Sequence, residues 1–330
     1  MSKENILVTG ATGFLGMHTV RALLQDAYRV RAFVQNGQDT KQLEALGVPY
    51  TLGDLLNKTD LDKAIQGCNI VIHAAAMTNV LPGRNAKVRA VNIDGTRNMV
   101  EIAKRHKIQR FIHIGTANSL GYGSKEHPGD ESKPGNCAKY KLDYIDSKLA
   151  AQAFILAQVK DHSFPALVLN PTFMIGPGGT INGSNQLIIH VSKRNKIIYP
   201  RGGRNYVAVK DVARGIANAV SMGKIGECYI LGNKNLSYKE IFGMIATNGG
   251  KSLKLFPIPP FILKSVGFMA EVIGKLSAKT PTFSYALAKM SCDEHYYSAA
   301  KAVKEITLPQ TPLHDAIKEA IDWNRSQNLI

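Results

Sequence analysis

Tyr144 and Lys148, in the stretch "YIDSKLAAQ" (144–152), stand four residues apart in a helical pattern and so share one helix face. A phenol with an ordinary pKa of about 10 is a poor acid–base catalyst near neutrality. An ammonium beside it stabilises the phenolate and is expected to bring that pKa toward the working range. Thr116 closes an apolar strand-like run and adds a hydroxyl able to hydrogen-bond the same substrate oxygen. Tyr140 offers no such pair, because its fourth successor is Tyr144. His73 and His113 lie near strand ends and read as packed side chains rather than acid–base groups. No two histidines have metal-ligand spacing, so no metal is expected.

A second cluster of special residues lies near the start. "LVTGATGFLG" (7–16) places Gly10, Gly13 and Gly16 where a strand gives way to a helix beginning near Phe14. Glycine there permits a tight turn, close approach of backbone to a pyrophosphate, and close packing of helix on strand. The free N–H groups and dipole of the helix start favour an anion. The loop therefore predicts a dinucleotide, whose nicotinamide C4 would deliver hydride while Tyr144 protonates the developing alkoxide.

These groups need a frame. Apolar β-type runs occur at Ile6–Thr9, Arg29–Val34, Pro49–Leu52, Ile70–Ala74, Arg110–Gly115 and Ala166–Asn170. Helical patterns fill the gaps, notably Phe14–Gln25, Ala86–His106 and Tyr140–Lys160. The alternation predicts an α/β protein of Rossmann type, a doubly wound parallel sheet. After Pro171 glycine and proline cluster in "GPGGTINGS" (176–184), "YPRGGRN" (199–205) and "FPIPP" (256–260). Residues 1–175 are expected to form the dinucleotide-binding domain, with a strand and helix returning to it around 204–221. Residues 176–330 are expected to form a smaller C-terminal α/β substrate lobe.

Composition narrows the function. A 330-residue chain with 45% hydrophobic and 20% charged residues is an ordinary globular protein with a sizeable core. The net charge of +16 is scattered rather than gathered on one element, which argues for a solvated basic surface and against nucleic-acid binding. The densest clusters, "KRHK" (104–107) and "KRNK" (193–196), fall at expected helix ends, where cations suit the dipole. The apolar stretch Phe256–Leu276 is interrupted by Lys264, Glu271 and Lys275, so no integral membrane segment is expected. Cys68, Cys137, Cys228 and Cys292 are few and far apart, as in reduced cytoplasmic proteins.

Over residues 4–215 the chain resembles the extended short-chain dehydrogenase/reductase family, with looser likeness beyond. The spacing G-x-x-G-x-x-G (10–16), "YTLGDL" (50–55), "VIHAAA" (71–76), "VNIDGTRNMVEIAKRHKIQRFIHIGTA" (91–117), "YIDSKLAAQ" and "NPTFMIGPG" (170–178) carry the likeness in order. Within the family it is most similar to dihydroflavonol reductases, 3β-hydroxysteroid dehydrogenases and related epimerase/dehydratase proteins. The resemblance implies that Thr116, Tyr144 and Lys148 are catalytic, the family more often having serine at position 116. It places the cofactor on Gly10, Thr12, Gly13, Phe14, Leu15 and Gly16, and the adenine near Asp54 and Leu55. Ala74, Ala75 and Ala76 would lie over its ribose, Pro171, Thr172 and Phe173 beside its nicotinamide. Lys148 would also hold the nicotinamide ribose, and Asn92 would help organise the site. Relatives commonly pair through the helices before and around Tyr144, so a homodimer is expected.

Cofactor and substrate divide the remaining possibilities. An NAD-specific pocket usually has an acid closing the second strand. Nineteen residues past Gly16 the chain has Gln35, then Asn36, with Lys41 close in sequence. That favours NADP(H), with NAD(H) possible; the arginine many NADP-dependent relatives carry there is missing. Three functions compete: reduction of a hydrophobic or aromatic aldehyde or ketone, sugar-nucleotide epimerisation or dehydration, and non-catalytic dinucleotide sensing. Sensing usually goes with loss of the Tyr–Lys pair, which is intact. Arg204 stands where nucleotide-sugar relatives carry a phosphate-binding arginine, but no arginine occurs between Arg214 and Arg325 to complete a clamp. Met77, Thr78 and Met174 are further substrate candidates, and Met77, Phe173 and Met174 favour an apolar guest. The stripe Phe261, Ile262, Val266, Phe268 and Met269 reads equally as helix core or as pocket lining.

Overall fold

The computed structural model describes residues 4–78, 85–179, 183, 185–277, 281 and 283–330. Of the Gly/Pro stretch 176–184, residues 180–182 and 184 fall outside that set. All six expected strands form: β1 (Asn5–Thr9), β2 (Arg29–Gln35), β3 (Tyr50–Gly53), β4 (Ile70–His73), β5 (Arg110–Ile114) and β6 (Ala166–Pro171). Four short strands follow, β7 (Phe173–Ile175), β8 (Lys196–Tyr199), β9 (Gly203–Ala208) and β10 (Cys228–Leu231). The last are β11 (Lys234–Ser237), β12 (Lys254–Pro257) and β13 (Glu294–His295).

The main sheet is parallel throughout, with seven strands in the order β10-β6-β5-β4-β1-β2-β3. Alternation along each strand feeds both faces, as a sheet covered on two sides requires. From β1, Ile6 and Val8 enter one core with Val20, Leu23, Val212 and Ile216. Leu7 enters the opposite core with Ile65, Met99, Phe111 and Ile155. The architecture is the expected Rossmann-type fold. Strand order reverses between β1 and β4, and the crevice at their carboxyl ends is where such sheets take ligands.

The C-terminal half departs from the expected return. The helix Val209–Met222 does pack on the helix Phe14–Gln25, and Arg214 grips Asp26 through two bonds of 2.7 and 2.8 Å. The strand preceding it, β9, instead centres a second sheet, flanked by β11 and β13 with β7 also pairing on it. The seventh strand of the main sheet is β10. β8 and β12 make a separate parallel ribbon.

Two helices differ from the sequence reading. The Tyr144 helix runs Asp143–His162, because Tyr140 closes a short 3-10 turn and Lys141 takes a left-handed φ of 54°. The segment expected as one helix over 86–106 is α-helical at Ala86–Arg89 and Gly95–Arg105, with a π turn at Ala90–Asp94 between them. A π turn widens the helix by one residue, and such turns are frequent at functional sites. Here it buries Asn92.

Candidate active site

Thr116, Tyr144 and Lys148 converge at the carboxyl end of β5. The Thr116 hydroxyl lies beside the Tyr144 phenol, close enough to favour its ionised form. Lys148 is 4% exposed and its Nζ donates to the Ile114 carbonyl at 2.5 Å, fixing the ammonium against the last turn of the strand. Burial alone brings the Lys148 pKa down to about 8. Burial also raises the Tyr144 pKa, and the Thr116 hydroxyl partly opposes that rise. This corrects the sequence expectation, in which Lys148 lowers the phenol. Held at the Ile114 carbonyl, the ammonium acts instead on His73 and His113.

Both imidazoles are buried and neutral, as the sequence reading had them. Burial, then the Lys148 charge, takes His73 down to about 3 and lowers His113 as well. The hydrogen bonds around His73 fix its tautomer. Thr96 Oγ1 donates to the Asn92 carbonyl at 2.8 Å, so its oxygen must accept from His73 Nε2 at 3.1 Å. Nδ1 then accepts from the Thr9 hydroxyl at 2.8 Å, whose oxygen accepts from the Ala75 N–H at 3.2 Å. The chain of bonds ties the alanine run 74–76 to the π turn.

Asn92 extends it to the Tyr144 helix. Its Oδ1 accepts from the Met77 N–H at 2.8 Å, and its Nδ2 donates to the Met77 carbonyl and to Ser147 Oγ, both at 3.0 Å. Ser147 Oγ in turn donates to the Tyr144 carbonyl at 2.9 Å. Thr9, Thr96 and Ser147 were not singled out from sequence. Ser147 had a usable signal, a hydroxyl three residues past Tyr144 on a helix. Thr9 and Thr96 had none until the sheet brought them together.

The glycine loop fits a dinucleotide. Gly10 has φ +70°, and a Cβ there would lie 2.8 Å from the Ala75 backbone. A Cβ on Gly16 would lie 2.0 Å from the Gly10 carbonyl oxygen. Gly13 is the N-cap of Phe14–Gln25, contributes no side-chain cap, and no acid stands in the first turn. The N–H groups at that helix start are thus open to an anion, as a pyrophosphate needs. Thr12 and Phe14 are half-buried and Leu15 buried. The Phe14 ring stands edge-on to His18, which meets the Pro177 carbonyl at 2.9 Å and ties the helix to the turn after β7.

Along the crevice the remaining candidates spread as the strands dictate. Gln35 and Asn36 are exposed at the end of β2, and Lys41 is exposed at the start of Lys41–Ala45. The Asp54 carboxylate accepts from the Leu56 N–H at 2.9 Å, while Leu55 is buried against Gly95. Ala74, Ala75, Ala76 and Met77 are half-buried and Thr78 exposed. Pro171 ends β6, and Thr172 is pinned by Oγ1 to Asn205 at 2.8 Å.

β7 separates two of the apolar candidates. Phe173 joins the core of the second lobe, whereas Met174 packs into the main core. Arg204 lies 5.4 Å over the Phe173 ring, and its Nε donates to the Tyr238 hydroxyl at 2.8 Å. Its terminal nitrogens have no hydrogen-bond partner among the described residues. Tyr144 packs on a buried cluster of Cys137, Tyr140, Leu142, Ile145 and Met290, with half-buried Tyr122, Ala286 and Leu287 beside it. Behind it, Asp293 accepts from Tyr122 at 2.8 Å, Tyr140 at 2.5 Å and Lys139 at 2.8 Å. That network, absent from the sequence reading, fastens the lobe to the turn before the Tyr144 helix.

The stripe in Phe256–Leu276 is neither core nor pocket lining. It lies on the helix Pro260–Leu276 and faces outward, with Phe261 70% and Met269 60% exposed. Among the described residues no group of side chains could hold a metal, no helix is long and apolar enough to cross a membrane, and all four cysteines are free.

Comparison with known proteins gives this arrangement a context. The sequence model of the NAD dependent epimerase/dehydratase family matches residues 6–232. A Synechocystis sp. protein that provisionally carries the name dihydroflavonol 4-reductase is 29% identical over 328 residues, covering 98% of this chain and 95% of its own. The crystal structure of gox2253 superposes with a TM-score of 0.87 at 28% identity, over 99% of this chain and 100% of the other. The Thermus thermophilus UDP-glucose 4-epimerase in complex with NAD shares the fold, with a TM-score of 0.77 at 19% identity over 97% and 99% of the two chains.

Proposed function

The chain belongs to the NAD dependent epimerase/dehydratase family, as an oxidoreductase of the extended short-chain dehydrogenase type, and we propose that it reduces a hydrophobic or aromatic aldehyde or ketone. The observation that carries this reading is Thr116 and Tyr144 meeting beside the buried Lys148, with the partly exposed apolar side chains of Tyr122, Ala286 and Leu287 on the cluster that holds Tyr144. A bound nicotinamide dinucleotide supplies the hydride. Gly10, Thr12, Gly13, Phe14, Leu15 and Gly16 would hold its pyrophosphate, and Asp54, Leu55 and Ala74–Ala76 its adenosine side. Asn92, Lys148, Pro171, Thr172 and Phe173 would hold the nicotinamide side. With no carboxylate at Gln35 or Asn36 to repel a 2′-phosphate and Lys41 nearby, NADP(H) is the favoured form.

The protein's own groups manage the oxygen and its proton. Thr116 orients the Tyr144 phenol, and together they hydrogen-bond the substrate carbonyl. As negative charge builds on that oxygen, Tyr144 donates its proton. Lys148, held at the Ile114 carbonyl, would bind the nicotinamide ribose rather than bear on the phenol. Residues 176–330 would enclose the substrate. The printed name of the Synechocystis relative, a reductase by that name, supports the class.

A second reading has one specific observation in its favour. The unpartnered end of Arg204, clamped over Phe173, suits a phosphate, as a sugar nucleotide would present. Arg214 is taken by Asp26, and Arg325 is bonded to the Gly249 carbonyl on the far helix, so neither completes a clamp. The test is a panel of aldehydes and ketones followed by NADPH oxidation, beside calorimetry with UDP- and dTDP-sugars. Turnover of an apolar carbonyl with no sugar-nucleotide binding is expected. Micromolar sugar-nucleotide binding that vanishes in Arg204→Ala would replace the reductase with an epimerase or dehydratase.

A further inference from the structure

The helix Pro260–Leu276 is built inside out. Its narrow inner side carries Gly267, where a Cβ would lie 2.6 Å from the Ser284 carbonyl oxygen, so it lies tightly on the helix Tyr285–Cys292. Its broad outer side carries Phe261, Val266, Phe268, Met269, Ile273 and Leu276, each between 48% and 83% exposed. Exposed apolar residues scattered singly are ordinary; a contiguous helical face of them is not.

The face continues onto the adjoining ribbon. β12 runs through Pro257–Pro259 straight into this helix. On the outer side of the ribbon, exposed Phe256 pairs in register with exposed Ile198, and exposed Lys254 with exposed Lys196. Charge across the segment is one-sided. Between Ile241 and Cys292 the sequence has six lysines and one acid, Glu271. Lys275 and Lys279 lie outside the described side chains, and Lys251 donates to the Ser192 carbonyl at 2.8 Å. That leaves Lys254, Lys264 and Lys289 with Lys196 of the ribbon. The Glu271 carboxylate accepts from the Tyr285 N–H at 2.8 Å, so it is engaged on the inner side.

From these features we infer that the helix Pro260–Leu276 and the β8–β12 ribbon dock on the surface of an anionic lipid bilayer. An apolar helix face bordered by lysines lies in the membrane interface, its apolar groups among the acyl chains and its cations on the headgroups. The lysine excess selects a negatively charged surface, whereas a second copy seated on this same face would set its lysines against these. The helix Tyr285–Cys292, on which the docking helix rests, packs through Ala286, Leu287 and Met290 against Tyr144 and Tyr140. The bilayer would therefore lie one helix layer from the catalytic phenol. The docking itself does not depend on which substrate is reduced.

The test is co-sedimentation of the full chain with vesicles of phosphatidylcholine containing phosphatidylglycerol, against vesicles of phosphatidylcholine alone. Binding to the anionic vesicles is expected to be at least tenfold tighter, and to weaken at least tenfold in high salt or in the variant Phe261→Ser/Phe268→Ser/Met269→Ser. Phe261→Trp gives a readout in a conservatively altered fold, with the emission of the added indole expected to shift to the blue on anionic vesicles. Absence of vesicle binding, equal binding to neutral vesicles, or undiminished binding by the triple variant overturns the inference. An emission from Phe261→Trp that stays unshifted, or a wild-type dimer that the triple variant splits into monomers, does so too.

Discussion

Replacing Lys148 by methionine separates what the buried cation does for chemistry from what it does to stability. The ammonium is 4% exposed, and burial takes its pKa from 10.5 to about 8 with no acid offsetting it. A cation whose folded pKa is depressed leaves the unfolded chain holding more protons between those values. Stability then rises with pH through that window, and the penalty is full below about pH 8. Worked through the linkage relation, the penalty is about 3 kcal/mol at about pH 7 and about 1 kcal/mol at about pH 9.5. Lys148→Met removes it but leaves the Ile114 carbonyl without its donor, a loss of about 1–2 kcal/mol. The net expectation is a variant about 1–2 kcal/mol more stable than wild type near neutrality. That advantage should shrink by about 2 kcal/mol between about pH 7 and about pH 9.5. Urea denaturation of both proteins at each pH measures it, and the difference cancels other titrating groups. The same variant should lose turnover and bind the dinucleotide more weakly. A variant less stable at neutrality, or a stability difference flat across that range, would refute the burial argument.

The remaining predictions concern the other groups at the crevice. Tyr144→Phe should keep dinucleotide binding and lower turnover about a hundredfold or more, read by steady-state kinetics beside fluorescence titration. Because the Thr116 hydroxyl is what lowers the phenol pKa, Thr116→Val should shift the alkaline limb of the rate profile to higher pH. His73 falls from 6.5 to about 3 through burial and the Lys148 charge, so the unfolded chain takes up a proton that the fold refuses. Stability should fall as pH drops below about 6.5, His73 alone contributing about 3 kcal/mol by about pH 4.5, and denaturation followed by circular dichroism checks this. Dissociation constants for NADPH and NADH should favour NADPH; a clear preference for NADH would reverse the assignment, and Gln35→Arg should then move it toward NADPH.

The sequence exposed those parts of the site that depend on local covalent pattern. Gly10 and Gly16 are forced by backbone contacts within a few residues and across to the alanine run after β4, and their spacing marked the loop once it was read between a strand and a helix. Tyr144 and Lys148 share a helix face, and a four-residue interval is enough to pair them. The apolar runs of β1 to β6 are buried on both sides and stand out without any knowledge of their neighbours. What stayed hidden depends on distant segments. The path Ala75–Thr9–His73–Thr96–Asn92–Ser147–Tyr144 uses five different elements, and no periodicity links them.

The direction in which a side chain points was the other blind spot. A four-residue interval says that Lys148 is near Tyr144, yet the Ile114 carbonyl decides where its charge acts. The apolar stripe at 261–273 has the helical period of a core helix, and period carries no information about which side meets the protein. There Gly267 decides, because the side lacking a Cβ can approach another backbone most closely. The small side turns inward and the phenylalanines are left outside. A hydrophobic pattern that ordinarily predicts burial thus produces exposure, and the lysines beside it are what distinguish a surface made for an anionic interface from a packing error.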